Sequence, residues 1–451
     1  MAITFWWLGH ATTTAAKVCV RGENNGTVTV ACNGQNFTGT VDTAVNDGVA
    51  VVEVTGLSPN FIYPLTITDA AAATATGNLR TMPLTGGKVA FTSCWERTRS
   101  LDDLVQNVLD FGAHAMQQQG DYIYCASALT NYNGETTAAV NTSSTAANYA
   151  THWRQTKRKT DMRLLETSIP SYYTFDDHEF GGDNWDHSVT QAQTALNVAS
   201  GGTQAEVDNS WWVARQATAW YHAGNPANGS ALAIAEKPPA AGGAIPASNY
   251  PVNYYNYRVG DIEVFAIDCI SYRSILTATD NASKTMLGAN QKAWLKAALD
   301  ASTAKFKIIA SGKTTYYATS GGTGDDWTKY STERDELIQY IYANASGNLR
   351  GVVWIAGDAH AAFVAYDPAK LHICMCANPA GVDHLAQTAA YQTKVVWKEQ
   401  GKSASNTSPQ GLFGLAEAFD GYLIMRLINQ FGAELWRGRV DQGSNALLFG
   451  A

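Results

Sequence analysis

The chain has 451 residues, 45% of them hydrophobic and 11% aromatic, more than one core usually supports, which predicts one large unit and one smaller one. A net charge of -8, with 39 acidic against 31 basic residues, excludes a nucleic-acid footprint, because grip on a phosphate backbone relies on clustered Lys and Arg. No apolar run approaches the length needed to cross a bilayer, so no transmembrane segment is expected.

The first residues, Met1 to Trp7, carry no basic stretch followed by an apolar helix and a small-residue cleavage site, so no signal peptide is expected in this chain. That leaves a cytoplasmic, a virion-associated and a mature secreted protein all open. Only 16% of residues are charged, and Thr, Asn, Gly and Ala abound, a composition found in extracellular and virion proteins and in cytosolic ones. Seven cysteines leave at least one unpaired in a monomer, which argues against a disulfide framework. Cys19 and Cys32 fall on apparent neighbouring strands and are candidates for a bridge in an oxidising compartment, buried free thiols being the commoner alternative.

From Thr4 to about Arg80 the pattern is all-β: 16–21, 26–30 and 49–54 are short alternating runs bounded by Gly, Asn or Asp. The run Gly56-Leu57-Ser58-Pro59 leading to Tyr63 resembles the turn and tyrosine entry of a fibronectin-like or immunoglobulin-like domain. Residues 1–85 are therefore expected to form an N-terminal β-sandwich, with a linker ending at Gly86-Gly87. From 86 to 451 strand-like and helix-like segments alternate, which predicts α/β organisation: strands at 88–92, 263–268, 306–310 and 352–356, helices at 101–111, 289–299 and 332–342. Long polar stretches at 126–150, 223–250 and 315–327 read as loops, either shaping a substrate mouth or running over the surface. Lys157, Arg158 and Lys159, with Arg154 and Arg163, fall on a predicted helix and read as a solvated face.

Open α/β sheets place ligand-binding groups beyond the carboxyl ends of their strands, and Cys94, Asp121, Asp268 and Asp358 all fall there. Asp121 and Tyr124 lie three apart in Gly120-Asp121-Tyr122-Ile123-Tyr124, so a tight turn brings both oxygens to one cation; a purely structural turn is the bland alternative. In Asp176-Asp177-His178-Glu179, Asp177 is a candidate ligand and His178 a candidate acid for a leaving oxygen, although such runs also serve as acidic caps. Asp358 and His360 alternate by two and point the same way if strand geometry persists. A Cys thiolate, a Tyr phenolate, a carboxylate and an imidazole are together largely anionic and suit a trivalent ion such as ferric iron. Asp121, Asp177 and Asp358 make an all-oxygen set that favours calcium, magnesium or manganese over zinc. The four runs read as a split two-metal hydrolytic site.

Taken in order, Leu8-Gly9-His10-Ala11-Thr12, Ser93-Cys94, Gly120 to Tyr124, Asp176 to Glu179, Ile267-Asp268 with Tyr272-Arg273, Leu287 to Leu295 and Gly357-Asp358-Ala359-His360 resemble the PhoD-like alkaline phosphatases and phosphodiesterases of the calcineurin-like metallophosphoesterase superfamily. The resemblance covers nearly the whole chain. It implies a metallophosphoesterase sandwich behind the N-terminal β domain and a phosphate-ester substrate cleaved by metal-activated water. It also implies a ferric ion held by Cys94, Asp121, Tyr124 and His360, calcium (or manganese or magnesium) held by Asp121, Asp177 and Asp358, and His178 near the phosphate. Two departures stand out: Cys125 replaces the acidic residue usual after the tyrosine, and Ser311-Gly312-Lys313-Thr314 replaces an Asn or Gln, which puts the calcium site in question. Lys313 reads as a solvated lysine or a phosphate contact, and Arg273 as a phosphate clamp or half of a structural ion pair. The competing function is a non-catalytic structural or receptor-binding protein, for example a virion component assembling through its β domain. A third is a lipid-directed phosphodiesterase with aromatic residues of 211–221 and Trp327 lining its pocket, residues that core packing explains as well.

Overall fold

The computed structural model describes residues 3–95, 100–132, 135–196, 203–226, 253–315, 324–345, 347, 349–377, 395–398, 411–442 and 447–449. Seven strands come first: β1 (Ile3–Ala11), β2 (Ala16–Gly22), β3 (Gly26–Cys32), β4 (Gln35–Val41), β5 (Val49–Val54), β6 (Ile62–Thr68) and β7 (Thr74–Arg80). They pair antiparallel in two sheets, ordered β1-β2-β5 and β4-β3-β6-β7. Alternation decides the packing, as Val18, Val20, Val52 and Val54 of one sheet meet Val28, Val30, Leu65 and Ile67 of the other. The Tyr63 hydroxyl accepts a hydrogen bond of 2.7 Å from the Ser58 N–H, which closes the corner expected from the turn sequence.

β1 is apolar on both faces, and both faces are used. Trp6 and Leu8 enter the sandwich core, whereas Phe5 and Trp7 pack with Trp153 and Tyr221 of helices in the larger part. Cys19 shares this outer cluster and Cys32 the sandwich core, so the two thiols lie on opposite faces of different sheets and both are free. The expected linker is likewise packed: the Gly86 N–H donates to Asp261 Oδ2 at 2.7 Å, and a Cβ at Gly87 would meet the Val259 carbonyl oxygen at 2.2 Å.

The larger part opens with β8 (Lys88–Thr92), α1 (Asp102–Asp110) and β9 (Ala115–Gln119), then the hairpin β10 (Leu129–Tyr132) and β11 (Glu135–Thr137). Helices α2 (Ala146–Lys157) and α3 (Thr160–Ser168), β12 (Ser171–Thr174), α4 (Val189–Ala195) and α5 (Gln204–Tyr221) follow. Next come β13 (Tyr255–Val259), β14 (Ile262–Ile267), α6 (Gly288–Ala301), β15 (Phe306–Ser311), α7 (Ser331–Ala343) and β16 (Val352–Ala356). The chain ends with β17 (Phe363–Asp367), β18 (His372–Cys376), β19 (Val395–Lys398), β20 (Leu412–Ala418), β21 (Tyr422–Asn429), β22 (Glu434–Asp441) and β23 (Leu447–Phe449). The stretch 126–150, expected as loop, thus holds a hairpin and the start of α2; most of 223–250 and of 315–327 lies outside the described residues.

These strands make two seven-stranded mixed sheets, β12-β9-β8-β20-β21-β22-β23 and β13-β14-β15-β16-β18-β17-β19. Their inner faces share one core, in which Val89, Phe91 and Tyr172 join Val264, Ile308 and Val353. The outer faces are covered by helices, with Ala90 and Met116 among Leu104 of α1 and Trp153 of α2, and Ile309 and Trp354 among Leu295 of α6 and Leu337 of α7. Trp211 and Trp327 are buried in these outer layers, so both are core residues and not the wall of a lipid pocket. Lys157 is no surface residue either. Its buried ammonium pairs with Glu166 at 3.0 Å and lies 4.4 Å from the Trp7 ring centre, while the nearby Lys159 pairs with Asp161. Among the described residues no helix is long and apolar enough to cross a membrane.

Candidate metal centre

β8, β9 and β12 run parallel in one sheet, β14, β15 and β16 in the other, so five of their carboxyl ends gather along one rim. Cys94 follows β8, Asp121 follows β9, Asp176 and Asp177 follow β12, Lys313 follows β15, and Asp358 and His360 follow β16. The ends touch closely: a Cβ at Gly120 would lie 2.4 Å from Asp176 Cβ, and one at Gly357 would lie 2.3 Å from the Gln119 carbonyl oxygen. Four of the candidate residues hold a left-handed backbone, with φ of 55° at Cys94, 53° at Asp121, 68° at Asp358 and 47° at His360. Each such position costs about 1–3 kcal/mol and persists only where the surroundings impose it.

One buried carboxylate imposes much of it. Glu179 Oε2 accepts from the N–H groups of Asp121 and Asp176 at 3.1 and 2.8 Å, and its Oε1 from those of Tyr122 and Ile123 at 2.7 and 3.2 Å. Glu179 thereby ties the turn after β9 to the turn after β12. Cys125, at the position of the missing acidic residue, is buried and its thiol donates to the His178 carbonyl at 3.0 Å, anchoring the backbone of the neighbouring loop. Cys94 N–H bonds the Gly120 carbonyl at 3.1 Å, which locks the β8 end onto the β9 end.

Cys94, Asp121 and His360 each offer a ligand atom, and these atoms lie within 4.8 Å of one another. The Tyr124 hydroxyl is 3.4 Å from His360 Nε2, so the phenol borders the same point. Burial, reinforced by the Asp121 charge, pushes the Cys94 thiol and the Tyr124 phenol well above their usual ranges. Asp121 Oδ1 is buried without a hydrogen-bond partner, a costly state for an anionic oxygen. A cation of high charge relieves all three, by ionising the thiol and the phenol and meeting the orphaned oxygen. The donor set fits such an ion.

The set expected for calcium, Asp121, Asp177 and Asp358, is divided between two clusters: Asp121 and Asp177 converge with His178, and Asp177 and Asp358 converge with Asp176. Asp176, Asp177 and Asp358 do offer oxygens within 4.8 Å of one another, but the Lys313 ammonium stands among them. Its Nζ is 2.5 Å from Asp176, 2.7 Å from Asp358, 2.9 Å from Asp325 and 3.3 Å from Asp177. Lys313 is therefore fully buried rather than solvated; burial works against its charge, but the four carboxylates prevail and hold it well above the usual lysine range. Arg273 is also buried, paired with Asp325 at 2.7 Å and donating to the Trp185 carbonyl. The ion-pair alternative thus describes its setting, because both sides of its fork are taken by protein groups, the Asp325 carboxylate and the Trp185 carbonyl.

A cavity of about 230 Å³ opens above these groups, lined by Asp121, Asp177, His178, Asp325, Asp358 and His360. His178 Nε2 is 3.0 Å from Asp183 Oδ1, and its ring lies 4.3 Å from that of Tyr124. Burial alone lowers the His178 pKa, yet Asp121, Asp183 and Asp177 outweigh it and raise it to about 10. Asp268 belongs elsewhere. Its backbone is clamped by Gln291, which accepts from the Asp268 N–H at 2.7 Å and donates to its carbonyl at 2.8 Å, and its carboxylate caps Ile270 and Ser271. Sequence reasoning passed over Asp176, Glu179, Asp183 and Asp325 as site residues. Asp176 and Glu179 were flanking letters of a chosen run, whereas Asp325 sits in a polar stretch with no period to mark it.

Residues 90–398 match the PhoD-like phosphatase family. Alkaline phosphatase D of Bacillus subtilis (strain 168) is 24% identical over 352 residues, 71% of this chain; the match spans 54% of that relative, about half its length. Among solved structures, one of PhoD superposes with a TM-score of 0.73 at 16% identity, covering 99% of this chain and 91% of that one. A purple acid phosphatase from yellow lupin seeds superposes with a TM-score of 0.62 at 10% identity, covering 98% and 74%. These likenesses show the metallophosphoesterase fold.

Proposed function

Because the chain belongs to the PhoD-like phosphatase family, we propose that it hydrolyses phosphoric esters in the cavity at the strand ends. The observation that carries the reading is the convergence of Cys94, Asp121 and His360, from three separate strand ends, on one point beneath that cavity. With Tyr124 they would hold a ferric ion, the trivalent charge answering the two acidic donors and the orphaned Asp121 oxygen. When bound, the ion would supply Lewis acidity to a phosphoryl oxygen and lower the pKa of a water. The water oxygen then bonds to phosphorus as the bond from phosphorus to the leaving oxygen breaks. His178 lines the cavity, and the proton on its Nε2, turned toward Asp183, passes to the leaving oxygen while the attacking water gives its own proton to solvent. Phosphate, or a phosphomonoester from a diester, and an alcohol are the products.

Elemental analysis of the purified chain, a visible spectrum and hydrolysis of chromogenic phosphate monoesters and diesters test this. Stoichiometric iron, a phenolate-to-iron absorption band and turnover are expected, and the ratio of the two rates names the preferred ester. An iron-free protein that turns over neither substrate after iron is restored would make the chain a binding scaffold.

A further inference from the structure

We propose that Lys313 is a built-in cation standing where a second metal would otherwise sit, so that the centre takes one exchangeable ion and works without calcium. The inference rests on the phosphoesterase reading above. Its ground is the position of one atom. Lys313 Nζ lies within 3.3 Å of carboxylate oxygens from Asp176, Asp177, Asp325 and Asp358, four residues drawn from three different segments. An ammonium has three protons to donate, and this one has more acceptors than protons, a coordination that resembles an ion in a carboxylate cage more than a paired surface lysine. Asp176, Asp177 and Asp358 have the spacing to hold a metal ion by themselves. A divalent ion cannot enter while the ammonium occupies their midst, because it would share ligands and volume with a like charge.

The lysine is held there by its backbone. Its N–H donates to Ser311 Oγ at 3.2 Å, and the same hydroxyl donates to its carbonyl at 2.6 Å. Gly312, one residue earlier, has no room for a side chain, since a Cβ would lie 2.4 Å from the Phe175 carbonyl oxygen. Arg273 grips Asp325 from the far side, so that carboxylate is shared by two fixed cations. Lys313 is fully buried and does not border the cavity. It acts as a positioning residue: it neutralises the acidic cluster and orients Asp177 and Asp358, which do border the cavity, without meeting substrate.

Metal stoichiometry tests the proposal apart from turnover. The full-length chain is stripped with chelator, reloaded with iron and titrated with calcium by calorimetry, with melting temperatures recorded with and without calcium. The wild type is expected to give no calcium heat and no calcium-dependent rise in melting temperature. Lys313→Asn, which removes the ammonium and leaves an amide oxygen, is expected to bind one calcium per chain and to melt higher when calcium is present. Stoichiometric calcium binding by the wild type overturns the proposal, as does a folded Lys313→Asn that binds none. The wild-type titration decides alone if the variant does not fold. Loss of the phosphoesterase reading shows separately, as absent iron and absent turnover.

Discussion

At the scale of single residues, the site depends on side chains that never touch a substrate. Glu179 receives four backbone N–H groups from two turns, so its carboxylate is a template for the backbone carrying Asp121 and Asp176. Glu179→Gln keeps the shape but sets an amide NH2 against two of those donors. A buried donor left without an acceptor costs about 1–3 kcal/mol, so the urea midpoint is expected to fall accordingly and iron binding to weaken with it. An unchanged midpoint would mean that the turns hold themselves. His178 is the opposite case. His178→Ala removes the proposed proton donor but no donor of the Cys94 group, so turnover is expected to drop by about 10²–10⁴-fold at unchanged iron content, measured on one preparation. Lys313 was legible in principle, for it follows a strand end as Cys94, Asp121 and Asp358 do. It was misread because a lysine in a polar run is usually solvated, and nothing local tells that four carboxylates distant in sequence will surround it.

At the scale of elements, the geometry comes from strand ends pressed together. Gly357 has no left-handed φ to explain it; what it needs is space, with the Gln119 carbonyl oxygen and Ser93 Cβ at 2.3 and 2.8 Å from where its own Cβ would be. Gly357→Ala must push the β16 end from those of β8 and β9, and overpacking of this kind costs about 1–3 kcal/mol. The expected result is a lowered urea midpoint together with weaker iron affinity, since Cys94 and Asp121 stand on the strands displaced; full iron affinity in the variant would show that the ends yield independently. The same crowding explains which elements the sequence reveals. β8, β14, β15 and β16 are buried on both faces, so they appear as largely apolar runs, broken only by Glu263 in β14 and Lys307 in β15, that end in polar groups, and the expected 88–92 and 352–356 agree with the observed spans. Helices α6 and α7 betray themselves by one apolar stripe each. β20, by contrast, completes its sheet beside β8, pairing Gly414 with Phe91 across most of the chain, and no local pattern records a partner so remote.

At the scale of the whole molecule, the N-terminal sandwich and the double sheet are fused by polar contacts as well as by Phe5 and Trp7. Lys88 N–H donates to His114 Nδ1 at 3.2 Å, and Arg80, at the end of β7, brings its Nη2 to 3.0 Å from His114 Nε2. Burial first, then the charges of Arg80 and Lys88, lower the His114 pKa to about 3, against about 6.5 in the unfolded chain. The unfolded form therefore takes up a proton on acidification before the folded form does. Stability drawn from neutral His114 is complete above about 6.5 and is lost as pH falls toward 3. His114→Gln is expected to be less stable than the wild type at neutral pH, with the deficit narrowing in mild acid, read as the difference in urea midpoints. A deficit that stays constant with pH would assign the loss to packing alone. The left-handed backbone at Cys94, Asp121, Asp358 and His360 also ties the turns to one another. Hydrogen bonds and close glycine contacts from neighbouring strand ends brace these conformations. The four turns therefore stand or fall together: a strand end that shifts lets its neighbours relax out of their strained backbone, and the rim fails as a unit.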